Sequence, residues 1–171
     1  MKYFLILILP ILLSALSSAQ IENQITVDEE TSKPMLIGLF DRNAFSDTSF
    51  SSWFNNEYDN YIVDTLTINL VANRIRDINF TIVMGSWCSD SRKQIPRLLK
   101  ILDFLNYQES KIQMLAVDRD KKAGDCDINY LKVKLFPTII LYKEDIEVGR
   151  IVESPRKSLE EDLVNIIFSA K

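Results

Sequence analysis

The sequence predicts an α/β fold in which a central mixed sheet is flanked by helices. Two observations support this prediction. The 171 residues are 47% apolar and 26% charged, a balance that suits one globular domain with its own core. In the second half of the chain, short β-rich runs alternate with segments whose apolar residues recur at helical spacing. In chain order, these segments predict a strand, a helix and a second strand, followed by a hairpin and a final helix.

Composition excludes several classes of function. Twenty Lys and Arg residues stand against 24 Asp and Glu residues, a formal net charge of −4, so the chain lacks the basic surface that nucleic acid requires. Histidine is absent, which excludes Ser-His-Asp and Cys-His catalysis and histidine-ligated metals. Two cysteines cannot form a four-thiolate zinc site. We therefore expect neither a metal nor a cofactor.

The N-terminus has the three parts of a secretory signal peptide. Lys2 is followed by an apolar run from Tyr3 to Leu13, and small residues then predict cleavage after Ala19. The run is short for a membrane span, and an uncleaved anchor or a buried segment is the alternative interpretation. We expect residues 1–19 to be removed and the mature chain to be periplasmic or secreted, free of the membrane, where disulfides persist.

Residues 20–77 are predicted to be an N-terminal extension whose helices pack on the core. The segment from Ile21 to Pro34 is polar and acidic without a period, and we expect a loose lead-in there. An amphipathic helix capped by Asp47 or Thr48 is predicted from aromatic residues at helical spacing: Phe50, Trp53, Phe54, Tyr58 and Tyr61. Such a stripe usually faces the core, although it also suits an apolar ligand. Four more apolar residues suggest a second, weaker helix that ends near Arg76: Leu66, Leu70, Val71 and Ile75.

A strand, a helix and a second strand are predicted to begin the core. The run from Phe80 to Met84 predicts a buried strand that ends at Gly85. A helix follows, because apolar residues recur at helical spacing: Ile95, Leu98, Leu99, Leu102 and Leu105. The run from Ile112 to Val117 predicts the second strand, parallel to the first.

The last part of the chain predicts a short helix, a hairpin and a final helix. The short helix covers Asp127 to Val133, and the hairpin joins Thr138–Tyr142 to Glu147–Val152. Ser154-Pro155 is expected to start the final helix, since proline suits the first helical turn. Four apolar residues of this helix are expected to face inward: Leu159, Leu163, Ile166 and Ile167.

One cysteine lies where the first buried strand gives way to a helix, in the segment Trp87-Cys88-Ser89-Asp90-Ser91. Unpaired N–H groups at a helix N-terminus carry partial positive charge and favour thiolate over thiol. The thiolate is the nucleophile in disulfide exchange. Asp90 opposes thiolate formation by like-charge repulsion, whereas the Ser91 hydroxyl can donate a hydrogen bond to the sulfur. The polar neighbours indicate an exposed cysteine rather than a small buried hydrophobe.

Three features in this order resemble the thioredoxin superfamily. They are the Trp-Cys segment after a buried strand, Pro96 in the following helix, and Phe136-Pro137-Thr138 at the start of the hairpin. The similarity covers roughly residues 78–171, which it identifies as a thioredoxin-like core within one globular domain at 35–171. It implies that Pro137 is a cis proline beside Cys88 and that the Phe136 main chain pairs with an extended substrate. Trp87 and Thr138 complete the substrate-binding residues.

The chain departs from the family's dithiol pattern. Ser91 stands where dithiol members carry the second cysteine, which attacks the mixed disulfide and releases the substrate. Ile82 and Met114 replace the buried acid and the lysine of many members. Both losses fit a site that has no second thiol to deprotonate. Glu153 falls near a position where close backbone approach usually requires glycine, so substrate access is expected to differ.

The second cysteine, Cys126, lies in an acidic loop after the second predicted strand. This loop leaves the sheet at the same edge as Cys88 because the two strands are parallel. Three interpretations remain open: an unpaired thiol, a resolving cysteine for Cys88, or a structural disulfide, which would stabilise the fold by about 4 kcal/mol. The loop's acidic residues do not match a calcium loop, because the glycine comes one place late and Lys122 occupies a ligand position.

These observations predict an exported thiol:disulfide exchange protein, a monothiol oxidoreductase with Cys88 and Ser91 as its Cys-x-x-Ser site. Its partners would be thiols and disulfides of proteins or small molecules. The alternative is a non-catalytic thioredoxin-fold module with Cys88 incidental. It would bind an extended polypeptide at the proline loop, the segment around Phe136-Pro137, together with the helix that carries Phe50, Trp53 and Phe54. The sequence does not predict an oligomeric state.

Overall fold

The computed structural model describes residues 23–170, so the expected signal peptide lies outside the described residues. Its six strands form one sheet in the order β1-β2-β4-β3-β5-β6. The strands are β1 Gln24–Val27, β2 Pro34–Phe40, β3 Ile78–Met84, β4 Ile112–Ala116, β5 Thr138–Lys143 and β6 Ile146–Val152. Within the same range, the α-helices are α1 Thr48–Asn60, α2 Thr65–Ile68, α3 Ser89–Phe104 and α4 Leu159–Ser169. None of the helices in this described part is long and apolar enough to span a membrane.

The strand directions confirm the predicted α/β class. β3 and β4 are parallel and are joined through α3, whereas β5 is antiparallel to β3 and β6 is antiparallel to β5. Because β3 and β4 point the same way, the segments that follow them leave the sheet at one edge. Cys88 follows β3 at this edge, and the loop that carries Cys126 follows β4. The start of β5 lies at the same edge, since β5 runs the opposite way.

The sheet separates two apolar clusters. Successive side chains of a strand point to opposite faces, so Ile82 belongs to one cluster and Val83 to the other. The larger cluster contains residues of α1, α3 and α4. The smaller one includes Val83, Leu115 and Phe136, and both cysteines pack against it. The candidate site therefore lies beside the smaller core.

The segment from Ile21 to Pro34 is not the loose lead-in that the sequence predicts, because its described part contains a strand. Gln24–Val27 is β1, which pairs antiparallel with β2. All four β1 residues are exposed, and a strand with no buried face shows no apolar alternation. β2 in turn pairs with β4. The N-terminal segment thus contributes two strands to the sheet in addition to the helices α1 and α2.

The predicted helix α1 is confirmed, whereas the short helix and the final helix have other bounds than predicted. Asp47 caps α1 by accepting a hydrogen bond from the Ser49 N–H at 2.8 Å. Of the aromatic stripe, Phe50 and Phe54 are buried, as expected for a core-facing helix. The short helix expected at 127–133 is only a 3₁₀ turn, Asn129–Leu131. The final helix starts at Leu159 rather than at Ser154-Pro155, because the Ser158 hydroxyl supplies its N-terminal cap.

The second predicted helix is a series of short helical turns rather than one helix that ends near Arg76. α2 has a single turn and continues into 3₁₀ segments at Asn69–Val71 and Ile75–Asp77. Of the four apolar residues that suggested the helix, Val71 and Ile75 are buried, whereas Leu66 and Leu70 are 85% and 63% exposed. Ile68 is fully buried in the first turn. Breaks between short helical turns change which residues face the sheet, so a single helical period does not describe this segment.

The burial of Ile68 and the exposure of Leu66 predict a contrast between these two positions of the same turn. Ile68→Ala is expected to lower the free energy of unfolding by about 2–5 kcal/mol, since it opens a cavity in the core. Leu66→Ala, on the exposed side of the turn, is expected to change it by less than about 0.5 kcal/mol. Urea unfolding of both variants measures the difference. Equal losses would contradict the observed placement of the turn.

Candidate functional site

Cys88 occupies the N-cap position of α3. Its N–H donates to the Gly85 carbonyl at 2.9 Å, and its own carbonyl accepts the Arg92 N–H at 3.1 Å. The side chain is half-buried. The sulfur therefore stands where the unpaired N–H groups of the first helical turn begin, as the sequence predicted, and it is neither fully exposed nor enclosed.

The loop before β5 lies directly against this sulfur. The Cys88 Sγ donates a hydrogen bond to the Phe136 carbonyl oxygen at 3.3 Å. The Phe136–Pro137 peptide bond is cis, as the resemblance implies. Cys88 and Phe136 are 48 residues apart in the chain, and the antiparallel pairing of β5 with β3 brings them together.

Trp87 forms one side of the site. Its indole Nε1 donates to the Val117 carbonyl at 2.9 Å, and its ring meets the Phe136 ring edge-to-face, with centroids 6.1 Å apart. The Arg119 guanidinium lies 4.9 Å from the centroid of the same indole. Trp87 is thus held between the proline loop and the segment after β4.

Arg119 is held in turn by the loop between β1 and β2. Its Nε and Nη2 donate to the two carboxylate oxygens of Asp28, each at 2.8 Å, and Nη1 pairs with Glu30 at 2.8 Å. Asp28 is only 3% exposed. The hydrogen bonds from Arg119, and to a smaller extent the one from the Thr31 hydroxyl, hold the pKa of Asp28 well below its usual range. The sequence carried no signal for this contact, because its partners are 91 residues apart.

We predict that Asp28→Asn loosens Trp87 and destabilises the fold in a pH-dependent way. An aspartate with a lowered folded pKa stabilises the protein above the unfolded value of about 4, and this contribution is lost as the pH falls further. The stability deficit of Asp28→Asn relative to wild type should therefore be full at pH 6 and shrink below about pH 4. Urea unfolding at several pH values, followed by tryptophan fluorescence, measures it. A deficit independent of pH would contradict the ion pair.

Ser91 and Thr138 are placed differently from the sequence expectation. Ser91 is fully buried, and its Oγ accepts the Gly85 N–H at 3.3 Å. Among the described residues, the hydrogen-bond partner of the Cys88 sulfur is Phe136 and not Ser91. Thr138 is 1% exposed and donates to the Leu135 carbonyl at 2.7 Å. Both hydroxyls hold backbone in place, since Ser91 supports the turn before Cys88 and Thr138 closes the proline loop.

Phe136 and Pro137 have buried side chains, so a substrate would meet their main chain. Behind the site, Ile82 and Met114 are opposite each other in the β3–β4 register and are 0% and 3% exposed. The sheet behind the candidate site is therefore apolar at these two positions.

Cys126 is a free thiol, as is Cys88, so these two described residues do not form the structural disulfide considered above. The Cys126 N–H donates to the Ala123 carbonyl at 3.0 Å within a tight turn. Its half-buried side chain packs against the same apolar cluster as Trp87 and Cys88. The structure thus brings both cysteines to the same apolar cluster without a bond between them.

Glu153 follows β6 and faces the proline loop through its main chain. Its N–H donates to the Pro137 carbonyl at 2.7 Å, and its φ of 59° lies in the left-handed region that favours glycine. The side chain is exposed. A glutamate beside the proline loop thus adopts a backbone conformation that suits glycine.

No family model and no curated protein matches this sequence. Similar solved structures include a protein of unknown function from Pseudomonas aeruginosa, 15% identical over 70% of this chain and 80% of that chain, with a TM-score of 0.46. A thioredoxin from Fasciola hepatica is 18% identical over 60% and 89%, with a TM-score of 0.39. Mitochondrial thioredoxin 3 from Saccharomyces cerevisiae, in its oxidized form, is 20% identical over 56% and 86%, with a TM-score of 0.34.

Proposed function

We propose that this chain is an exported thiol:disulfide exchange protein of thioredoxin-like fold that uses Cys88 as its single nucleophile. The observation that carries the proposal is the position of the Cys88 sulfur. It is half-buried at the N-terminus of α3 and lies 3.3 Å from the Phe136 carbonyl in the proline loop. The signal peptide predicted at residues 1–19 supports the proposed export.

The first step of the proposed reaction is attack on a substrate disulfide. Cys88 loses its proton to solvent, and the thiolate forms a bond to one substrate sulfur while the substrate S–S bond breaks. The second substrate sulfur leaves as a thiolate and takes a proton from water. Because Cys88 then no longer carries an S–H group, the Phe136 carbonyl loses its present donor and becomes free to accept a main-chain N–H of the bound substrate.

The second step resolves the mixed disulfide. The Ser91 hydroxyl cannot do this, since it is buried and is not a thiol. A thiol of a small molecule or another protein attacks the mixed disulfide, releases the substrate sulfur as a thiol and becomes bonded to Cys88. A second such thiol restores Cys88 and leaves the two external thiols oxidised to a disulfide, so that two electrons pass to the substrate. Cys126, on the same core, offers an internal alternative to the external thiol.

Alkylation by neutral iodoacetamide, with peptide mapping, tests the nucleophile. In the folded protein we expect Cys88 to react at least about tenfold faster than Cys126, because only Cys88 stands at a helix N-terminus. In urea the two cysteines should react at similar rates, which is the matched control. Exposure to a small peptide disulfide should place the covalent adduct on Cys88. Equal rates in the folded state together with no adduct would support the binding module instead.

A further inference from the structure

We propose that Glu153 sets substrate preference, so that the site favours disulfides flanked by a cationic side chain, lysine or arginine. This inference rests on the proposed function. Glu153 combines an exposed carboxylate with a backbone of positive φ, and its N–H donates a hydrogen bond to the Pro137 carbonyl.

Glu153 is close to the reacting sulfur. The Cys88 Sγ contacts the Phe136 carbonyl, and the Glu153 N–H contacts the carbonyl of the next residue, Pro137. Cα atoms joined by a cis peptide bond, as in Phe136–Pro137, are about 2.9 Å apart, and hydrogen-bonded antiparallel partners are about 5.5 Å apart. The Glu153 Cα therefore lies roughly 10 Å from the sulfur, within the reach of a residue next to the substrate cysteine.

The backbone conformation supports a role for the side chain. A left-handed conformation suits glycine, which would leave this edge of the proline loop open. A glutamate in that conformation is strained, and it adds a charged group beside any segment that pairs with Phe136. Two other left-handed acidic residues, Glu144 and Asp145, lie in the turn between β5 and β6. That turn is at the opposite end of the hairpin, so it supplies a control.

Among the described residues no cation forms an ion pair with Glu153; Arg156 and Lys157 follow it in the chain, and the Lys157 ammonium is paired with Glu161. Asp90, in the first turn of α3, adds a second acid near Cys88. Arg119 is already paired with Asp28 and Glu30, and Arg92 donates to the Ser86 carbonyl. Lys134, two residues before Phe136, is the cation on the proline loop itself, and its removal is expected to strengthen the preference.

The test uses three peptide disulfides that differ only in the residue next to the attacked cysteine: lysine, glutamine or glutamate. Rate constants for adduct formation on Cys88 are measured by acid quenching and mass spectrometry. We expect the lysine peptide to react about tenfold faster than the glutamate peptide at low salt. High salt should reduce this ratio, because at 1 M salt the attraction between exposed charges is screened beyond about 3 Å.

The variants separate charge from conformation. Glu153→Gln keeps the strained backbone and Glu153→Gly relieves it, and both should reduce the lysine-to-glutamate ratio about three- to tenfold. Glu153→Lys should invert the preference, and Lys134→Gln should raise the ratio. Glu144→Gln removes the same charge from the far turn and should change the ratio less than twofold.

The outcomes distinguish this inference from the proposed function. If wild type reacts with all three peptides at the same rate, or if Glu144→Gln lowers the ratio as much as Glu153→Gln, the specificity role is wrong and the exchange activity stands. If no peptide forms an adduct on Cys88 while iodoacetamide still modifies it, the proposed function fails, and the inference fails with it.

Discussion

Cys88→Ser is expected to abolish disulfide exchange, with a fall of at least about a hundredfold in the rate at which the protein reduces a peptide mixed disulfide. A serine hydroxyl remains protonated at neutral pH and does not attack sulfur, whereas a thiolate does. The fold should be retained, because a serine Oγ can donate to the Phe136 carbonyl as the Cys88 Sγ does. Thermal unfolding of the variant checks this.

Cys126→Ser is the matched control for that variant. It removes the other half-buried thiol from the same apolar cluster and should leave adduct formation on Cys88 intact. If it slows only the release of the adduct, Cys126 is the resolving cysteine; if release is unchanged, an external thiol resolves it. Exchange that survives in Cys88→Ser and disappears in Cys126→Ser would overturn the assignment of the nucleophile.

Ser91→Cys is expected to convert the single-thiol site into a dithiol site. Residues three apart on a helix are neighbours on one face, so the introduced sulfur would lie next to Cys88. It would attack the mixed disulfide from within the protein, form an internal disulfide with Cys88 and release the substrate as a thiol. An intramolecular thiol acts at an effective concentration in the millimolar range. With micromolar external thiol, the lifetime of the adduct should therefore fall by about a hundredfold or more.

Ser89→Cys separates this effect from the mere addition of a thiol. Position 89 is exposed and directly follows Cys88, and adjacent helical residues do not face each other, so its adduct should persist as in wild type. Ser91 is buried and accepts the Gly85 N–H, and a larger sulfur there is expected to cost some stability. Urea unfolding should accompany the lifetime measurement. An adduct equally long-lived in Ser91→Cys and wild type would contradict the proposed geometry.

Much of the core was predictable because its signals are local. β3, the helix after Cys88 and the hairpin each follow from apolar residues at strand or helix spacing, and the structure has all three. The parallel pairing of β3 with β4 followed from the strand, helix, strand order. Local spacing failed at β1, whose residues are all exposed, and at α2, where a single turn gives too few residues to define a face.

The candidate site was likewise predictable only in part. The positions of Cys88 and Pro137 at the ends of predicted elements were visible in the sequence, and so was the unusual residue at 153. The hydrogen-bond partners of the residues next to them could not be predicted from the sequence. The Ser91 hydroxyl accepts a hydrogen bond from the Gly85 N–H and makes none with the Cys88 sulfur, because the bonding of a side chain in the first turn of a helix depends on the turn that precedes it.

The sequence by itself determined the class of fold, the order of the core elements and the cysteine that stands at the start of α3, since each depends on residues close together in the chain. Only the tertiary structure decided what surrounds that cysteine. The Asp28–Arg119 pair against Trp87, the contact of the Cys88 sulfur with Phe136 and the bond from Glu153 to Pro137 join separate elements. Such contacts depend on how the strands are paired across the sheet, and spacing along one segment carries no record of that pairing.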